Sequence, residues 1–351
     1  AILAGGGEFL VAGAANLALR MKVSPLFIGI TVVAAGTSLP ELVVCVIAQF
    51  EQSSGLAIGN IVGSNIFNLG LVLGLVLILN RHSRIEAGSF EIKLLVLSTL
   101  ALLIPLYLDQ RSDGISTLTW SVGIVLEIVF LILLLLIYRT GRKQSSVLRE
   151  VDEMTTGESS LKVTTSLILG TLLLWIGGEF LVNGAITLAK SLDIKESTIG
   201  LTIVAAGTGA PELFASLAAF RRGSSEIAVG NVLGSNLFNF IAIVGAAAIV
   251  SPLEIRIGEI QMDLVVMVIM TISICLLLVP MKSPRLQNGL GFFLLLLYAL
   301  WLLAACCCCA TTPAATVSAR RHWPRSRPAK RSSRLRKPRK KSAEQRGRLC
   351  S

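Results

Sequence analysis

Residues 29–41 of the 351-residue chain, GITVVAAGTSLPE, return 171 positions later at 200–212 as GLTIVAAGTGAPE. Without a gap, the same offset places GNIVGSNIFN (59–68) on GNVLGSNLFN (230–239) and GGEFLVAGA (6–14) on GGEFLVNGA (177–185). An internal repeat of this length fixes architecture before any single residue is interpreted. Each copy also carries a glutamate, Glu41 and Glu212, inside an otherwise apolar segment. A fold for this chain must therefore solve the same problem twice: where to put a buried carboxylate.

The surroundings of those glutamates are membrane-like. The chain is 53% hydrophobic and 15% charged, whereas a soluble domain carries about 25% charged residues. Apolar stretches of about 20 residues are long enough to cross a bilayer as helices. Ten such segments are expected, at roughly 1–19, 25–50, 56–79, 92–108, 118–138, 164–189, 197–220, 226–250, 262–281 and 288–305. Lipid offers backbone polar groups no partner, so spanning segments of this composition are helices rather than an open sheet. The expected fold class is an all-α, multi-pass membrane protein. Its first five-helix repeat covers 1–138, a short linker 139–163, its second repeat 164–305, and a tail 306–351. Ala1 aligns with the middle of the sixth segment, so the first helix is expected to be truncated.

Five helices separate each residue from its copy. Five is odd, so the copies run through the bilayer in opposite directions, which makes this an inverted-topology repeat. In secondary transporters such repeats place substrate and ion sites near the midplane, where the halves meet. Two near-identical halves of opposite orientation can exchange conformations and so expose one site to each side in turn.

The net charge of +11 belongs to the tail, since residues 319–351 hold 14 of the 32 basic residues and one acid, Glu344. The other 18 basic residues sit against 20 acidic ones. Of those 18, the odd-numbered loops carry 14 and the even-numbered loops only Arg111, Lys190, Lys195 and Arg256. The positive-inside tendency then places odd loops and the 139–163 linker in the cytoplasm and both termini outside, in a cell membrane. The tail follows four consecutive cysteines, Cys306 to Cys309, and opposes that assignment. A palmitoylated polybasic segment and a nucleic-acid-binding arm are two readings; a disordered or non-homologous end is preferred. No nucleic-acid partner is expected. Cys45, Cys275 and Cys350 show neither metal-ligand spacing nor a disulfide framework.

Glu41 lies about midway between Pro25 and Glu51. A charge at that depth costs a few kcal/mol even on insertion scales, so such acids face the protein interior and are functional by default. Pro40 lacks an N–H and clashes with the preceding turn, which loosens carbonyls before it. Thr37 and Glu41 are four residues apart and share a helix face, as do Thr208 and Glu212, Ser64 and Asn68, and Ser235 and Asn239. The candidate ligand set is Thr37, Ser38, Glu41, Ser64, Asn68, Thr208, Glu212, Ser235 and Asn239, with loosened carbonyls around Ala34 and Ala205. Every donor atom is oxygen, which suits hard cations such as Ca²⁺ or Na⁺ rather than zinc or copper. Gly59, Gly63, Gly70 and Gly74, mirrored by Gly230 and Gly234, form a small-residue stripe that permits close helix approach. Asn65 and Asn236 are expected to bond across helices. Glu8 and Glu179 are read as packing or access-path groups.

The paired motifs GTSLPE with GNxxGSNxxN, at 36–41 with 59–68 and at 207–212 with 230–239, resemble the calcium/cation antiporter superfamily. The likeness is to prokaryotic-type sodium/calcium exchangers and covers about residues 1–305. It implies exchange of Ca²⁺ for Na⁺ by alternating access, with membrane lipid as surroundings, the two ions as cargo and no cofactor. It also implies that Glu41 and Glu212 bind the ions, that Thr37 and Thr208 supply oxygen, and that Ser64 and Ser235 correspond to sodium ligands. Asn68 and Asn239 take central polar positions. Two departures stand out. Gly209 replaces the serine of the motif, and Asn239 stands where some relatives carry aspartate, leaving two carboxylates. A linker of about 25 residues has no room for the large calcium-sensing domains of animal exchangers.

A proton-coupled cation antiporter is the nearest rival, because glutamates can also carry protons. A passive channel fits the residue types as well. An intramembrane enzyme does not: the segments lack an HExxH helix and a base near Ser38 or Ser64, and no aspartate is expected at mid-depth.

Overall fold

The computed structural model describes residues 1–80, 89–144, 159–191, 205–278 and 284–311. The expectations for the tail 312–351, for most of the linker and for residues 197–204 of the seventh segment lie outside the described residues.

The described chain is helical, with one small exception. Helix α1 spans Ile2–Met21, and α2 (Pro25–Thr37) meets α3 (Leu39–Phe50) at a bend of 46°. Then follow α4 (Ser54–Leu79), α5 (Ser89–Leu108), α6 (Trp120–Gln144) and α7 (Ser160–Ser191). In the second half, α8 (Ala205–Thr208) precedes α9 (Ala210–Arg221). These lead to α10 (Ser225–Val250), α11 (Ile257–Leu278) and α12 (Pro284–Thr311). Among the described residues, seven helices are long and apolar enough to cross a membrane, and the bent α2–α3 pair makes an eighth. Ile92–Leu108 is a shorter apolar helix. The protein is an integral, multi-pass membrane protein.

The exception to an all-α chain is a two-stranded antiparallel pair, β1 (Ile115–Leu118) with β2 (Leu253–Arg256), in register Ile115 to Arg256. Their backbones satisfy one another where the chain leaves the helices. The pair brings the α5–α6 and α10–α11 connections to the same side of the bundle.

The halves interlock rather than sit side by side. Helix α2 of the first half lies on α10 of the second, and α8 of the second lies on α4 of the first. Helix α1 runs along α7. Glycine makes the α2–α10 approach possible. A Cβ on Gly230 would stand 2.6 Å from the Leu26 carbonyl oxygen and 3.0 Å from the Gly29 Cα, and one on Gly234 would run into the Ile30 carbonyl. Gly59, the mate of Gly230, is exposed and has no atom close to where its Cβ would be. Further along the first-half stripe, Gly70 and Gly74 instead seat α4 against α12, with Cβ positions 2.7 Å from Tyr298 Cβ and 3.1 Å from the Gly291 carbonyl oxygen.

Helices α4 and α10 each contain a stretch of wider π-helical turns, Asn68–Val72 and Phe238–Ile243. Each starts at or one residue before the last asparagine of its GNxxGSNxxN motif. Single π-turns recur at functional sites because they leave ladder groups free and rotate side chains off the α-helical face.

Candidate functional site

The bend between α2 and α3 falls at Ser38, whose backbone (φ −87°, ψ 4°) leaves the helical region. Pro40 follows at the start of α3 and offers no N–H to the turn before it. Gly209 adopts the same geometry (φ −81°, ψ −3°) before Pro211 in α9. Since any residue tolerates those angles, the glycine is not demanded by the backbone.

Both bends deliver their glutamates to the interior. Glu41 and Glu212 are fully buried and lie near enough to interact electrostatically. Glu212 accepts a hydrogen bond from Ser38 Oγ at 3.1 Å, on Oε1. Its Oε2 and both oxygens of Glu41 have no protein partner. Around them Thr37, Ser38, Ser64, Asn68, Ser235 and Asn239 are buried, and Thr208 is 9% exposed. The Thr37 hydroxyl lies 3.1 Å from Asn231 Oδ1 and 3.4 Å from Ser235 Oγ. Asn239 donates from Nδ2 to Ser64 Oγ at 3.0 Å, while its Oδ1 is unpartnered. Neither the oxygen nor the nitrogen of the Asn68 amide has a partner. Within the candidate ligand set five buried oxygens are therefore unpartnered: two on Glu41 and one each on Glu212, Asn68 and Asn239. Buried acceptors without donors cost free energy, and a hard cation offsets that cost with charge rather than protons.

Two local expectations change. The Ala34 carbonyl is not loosened: it accepts the Ser38 N–H at 3.0 Å and the Thr37 hydroxyl at 3.3 Å. Ala205 opens α8. Asn65 and Asn236 do not bond across helices. Each donates to a carbonyl four residues back, Ile61 at 2.6 Å and Val232 at 2.7 Å, because that acceptor is the nearest on the same face. Glu8 reaches out of α1 to Arg222 in an ion pair of 2.7 Å, and Glu179 accepts from Asn183 at 3.1 Å.

Two intramembrane acids escaped notice. Asp263 is not at the end of its segment, since α11 begins six residues earlier at Ile257. It accepts a hydrogen bond from Trp301 Nε1 at 2.7 Å. Glu127 in α6 lies against Gly245, its Oε1 2.8 Å from where a Cβ would stand. Sequence missed it because its neighbours are leucine and isoleucine and its own position repeats nothing. Also missed were Asn60 and Asn231, the second residues of the repeated GN pairs, which bond to Thr208 and Thr37. The offset of 171 could have found them.

Comparison with known proteins matches residues 1–139 and 162–306 to the family described as sodium/calcium exchanger protein. A putative antiporter of Alkalimonas amylolytica is 34% identical over 292 residues, covering 82% of this chain and 89% of its own. An inner membrane protein of Escherichia coli is 34% identical, covering 81% and 87%. Among solved structures, the sodium-calcium exchanger NCX_Mj soaked with 100 mM Na⁺ and 10 mM Sr²⁺ superposes with a TM-score of 0.71 at 31% identity, covering 89% of this chain and 95% of that one.

Proposed function

Because the chain belongs to the sodium/calcium exchanger family, we propose that it exchanges Ca²⁺ for Na⁺ across a cell membrane by alternating access at the Glu41–Glu212 centre. The observation that carries this reading is the cluster of five buried, unpartnered oxygens from both halves. Two carboxylates and neutral oxygens make a site whose charge is cancelled by one Ca²⁺ or by two Na⁺, so the same ligand set can hold either cargo in turn. Three Na⁺ would leave one surplus positive charge, and exchange against Ca²⁺ would then sense membrane potential at about 2.3 kcal/mol per charge per 100 mV.

The ligands in this reading are Glu41, Glu212, Thr37, Thr208, Ser38, Ser64, Ser235, Asn68 and Asn239, with the carbonyls of Ala34 and Ala205 in reserve. A cation at Ala34 has to compete with the two hydrogen bonds that carbonyl accepts. The architecture that goes with it is two five-helix repeats, 1–138 and 164–305, of inverted topology. The termini lie outside and the 139–163 linker inside. The charge asymmetry of the loops supports that orientation, and the β1–β2 pair fits two even-numbered loops lying on a shared side.

Purified protein in liposomes tests the function. Uptake of ⁴⁵Ca²⁺ driven by an outward sodium gradient is expected, and sodium-independent uptake driven by a pH gradient alone would assign coupling to protons instead. Flux that needs no counter-ion would make the protein a channel.

A further inference from the structure

Behind the proposed ligand set lies a bonded relay in which Asn60, Cys45, Ala57 and Thr208 match Asn231, Ser216, Ala228 and Thr37 at the 171-residue offset. In the second half, Asn231 donates from Nδ2 to Ser216 Oγ at 3.0 Å and to the Glu212 carbonyl at 3.2 Å. Ser216 Oγ lies 3.5 Å from the Ala228 carbonyl. In the first half, Asn60 donates to Cys45 Sγ at 3.4 Å, and Cys45 Sγ lies 3.5 Å from the Ala57 carbonyl. The other end of each amide crosses to the opposite half: Asn231 Oδ1 accepts from Thr37 at 3.1 Å and Asn60 Oδ1 from Thr208 at 3.4 Å.

The chemistry of these partners settles which way the amides point. Carbonyl oxygens only accept, so the Ser216 proton goes to Ala228 and its oxygen must receive the Asn231 N–H. The Glu212 carbonyl demands the same nitrogen. That leaves Oδ1 for Thr37. A threonine whose single proton is taken by Asn231 or by the Ala34 carbonyl turns lone pairs, not its proton, toward any cation. Without the asparagine only the longer 3.3 Å contact to the Ala34 carbonyl holds that proton, and the hydroxyl is freer to turn it into the site and repel a cation.

We infer that Asn60 and Asn231 are positioning residues, each holding the threonine of the opposite repeat as an acceptor. Cys45 and Ser216 anchor them, unequally. Sulfur is a weak acceptor, and Asn60 is half-buried where Asn231 is fully buried, so the first-half bracket is the looser one. The inference rests on the exchange reading for its readout but not for its geometry.

The test uses the full chain with Ser216→Ala, Ser216→Cys and Cys45→Ser, read in two ways. One is the half-saturating Ca²⁺ concentration of sodium-driven uptake. The other is Ca²⁺ protection of the detergent-purified protein against thermal unfolding, set against its cation-free melting temperature. Loss of one hydrogen bond corresponds to about tenfold. Ser216→Ala is therefore expected to raise half-saturation about tenfold while the maximal rate stays within about twofold. Ser216→Cys should restore part of that loss, and Cys45→Ser should lower half-saturation. A fall in cation-free melting temperature with half-saturation unchanged, or Cys45→Ser indistinguishable from the parent, would overturn the inference. Protection is measured without a gradient. A parent protein that Ca²⁺ protects but that does not exchange it for Na⁺ would remove the exchange reading and still leave the brackets tested. A parent that neither Ca²⁺ nor Na⁺ protects would overturn both.

Discussion

Glu212 and Glu41 occupy the same position of the same motif, and both are fully buried, yet their surroundings differ. Glu212 receives the Ser38 hydroxyl from the opposite half. Glu41 would receive its counterpart from position 209, where the chain has glycine, and neither of its oxygens is partnered. The space has not been left empty. A Cβ on Gly209 would stand 2.5 Å and 2.7 Å from two ring carbons of Phe67, and that ring packs edge-on against Tyr298 at 6.0 Å. The mate of Phe67, Phe238, instead turns to Phe130, with ring centres 4.8 Å apart. The missing hydroxyl and the displaced ring are thus one feature. It makes Glu41 the barer carboxylate, with no protein hydrogen bond to either oxygen.

The largest expected effect tests whether both carboxylates are needed at all. Glu41→Gln and Glu212→Gln should each cut Ca²⁺ uptake on the order of a hundredfold or more, the scale of losing a buried charge partner, with the protein still inserted in the membrane. Near-normal ⁴⁵Ca²⁺ flux in either variant would detach the site from that residue. Next comes the hydroxyl itself. Ser38→Gly should make the two carboxylates alike and weaken apparent sodium affinity about tenfold, since hydrogen bonds to charged groups are worth about 1.5–3 kcal/mol. A sodium dependence that does not move would show the Ser38 contact to be incidental.

The reverse substitution, Gly209→Ser, does not simply restore symmetry. It should cost about 1–3 kcal/mol through overpacking on Phe67, seen as a lower melting temperature. Pairing it with Phe67→Leu should recover most of that loss. If Gly209→Ser alone melts like the parent, the ring yields freely and the comparison loses its steric basis.

Smaller effects come from the periphery, where the halves also differ. Glu127 sits on Gly245 beside Gly123, and the corresponding contact in the other half puts Leu295 on Gly74 beside Gly291. Glu127→Leu should therefore pack as Leu295 does and raise the melting temperature by a few degrees, with transport retained. A loss of transport would give Glu127 a role that its leucine counterpart cannot have. Smallest is the Glu8–Arg222 pair, whose side chains are 40% and 44% exposed. Pairs of that kind contribute about 1 kcal/mol or less, so Arg222→Gln should leave the melting temperature nearly unchanged.

Much of the site was legible because polar residues in an apolar segment are conspicuous and because they occur twice. Thr37, Ser38, Glu41, Asn68, Ser235 and Asn239 could be named from the repeated motifs, and all six are buried; the oxygens of Glu41, Asn68 and Asn239 lack partners, while the hydroxyls of Thr37, Ser38 and Ser235 are hydrogen-bonded. Partners were less legible. Helix periodicity states which residues share a face, but not which other helix that face meets. Asn231 therefore passed for a motif residue until its bond to Thr37 was seen. The short β1–β2 pair escaped for a related reason: four-residue segments far apart in the chain carry no periodic signal.

By itself the sequence determined the membrane setting, the duplication and the doubling of a carboxylate inside an apolar segment. These follow from composition, periodicity and count, which need no neighbour to be defined. The tertiary structure alone decided that the halves interlock through α2 on α10 and that Gly230 and Gly234 form the contact while Gly59 stands open. It also decided that Phe67 fills the place of the hydroxyl absent at Gly209. Those outcomes depend on distances between residues as far apart in sequence as Leu26 and Gly230, and such distances are set by packing the whole bundle rather than by any local pattern.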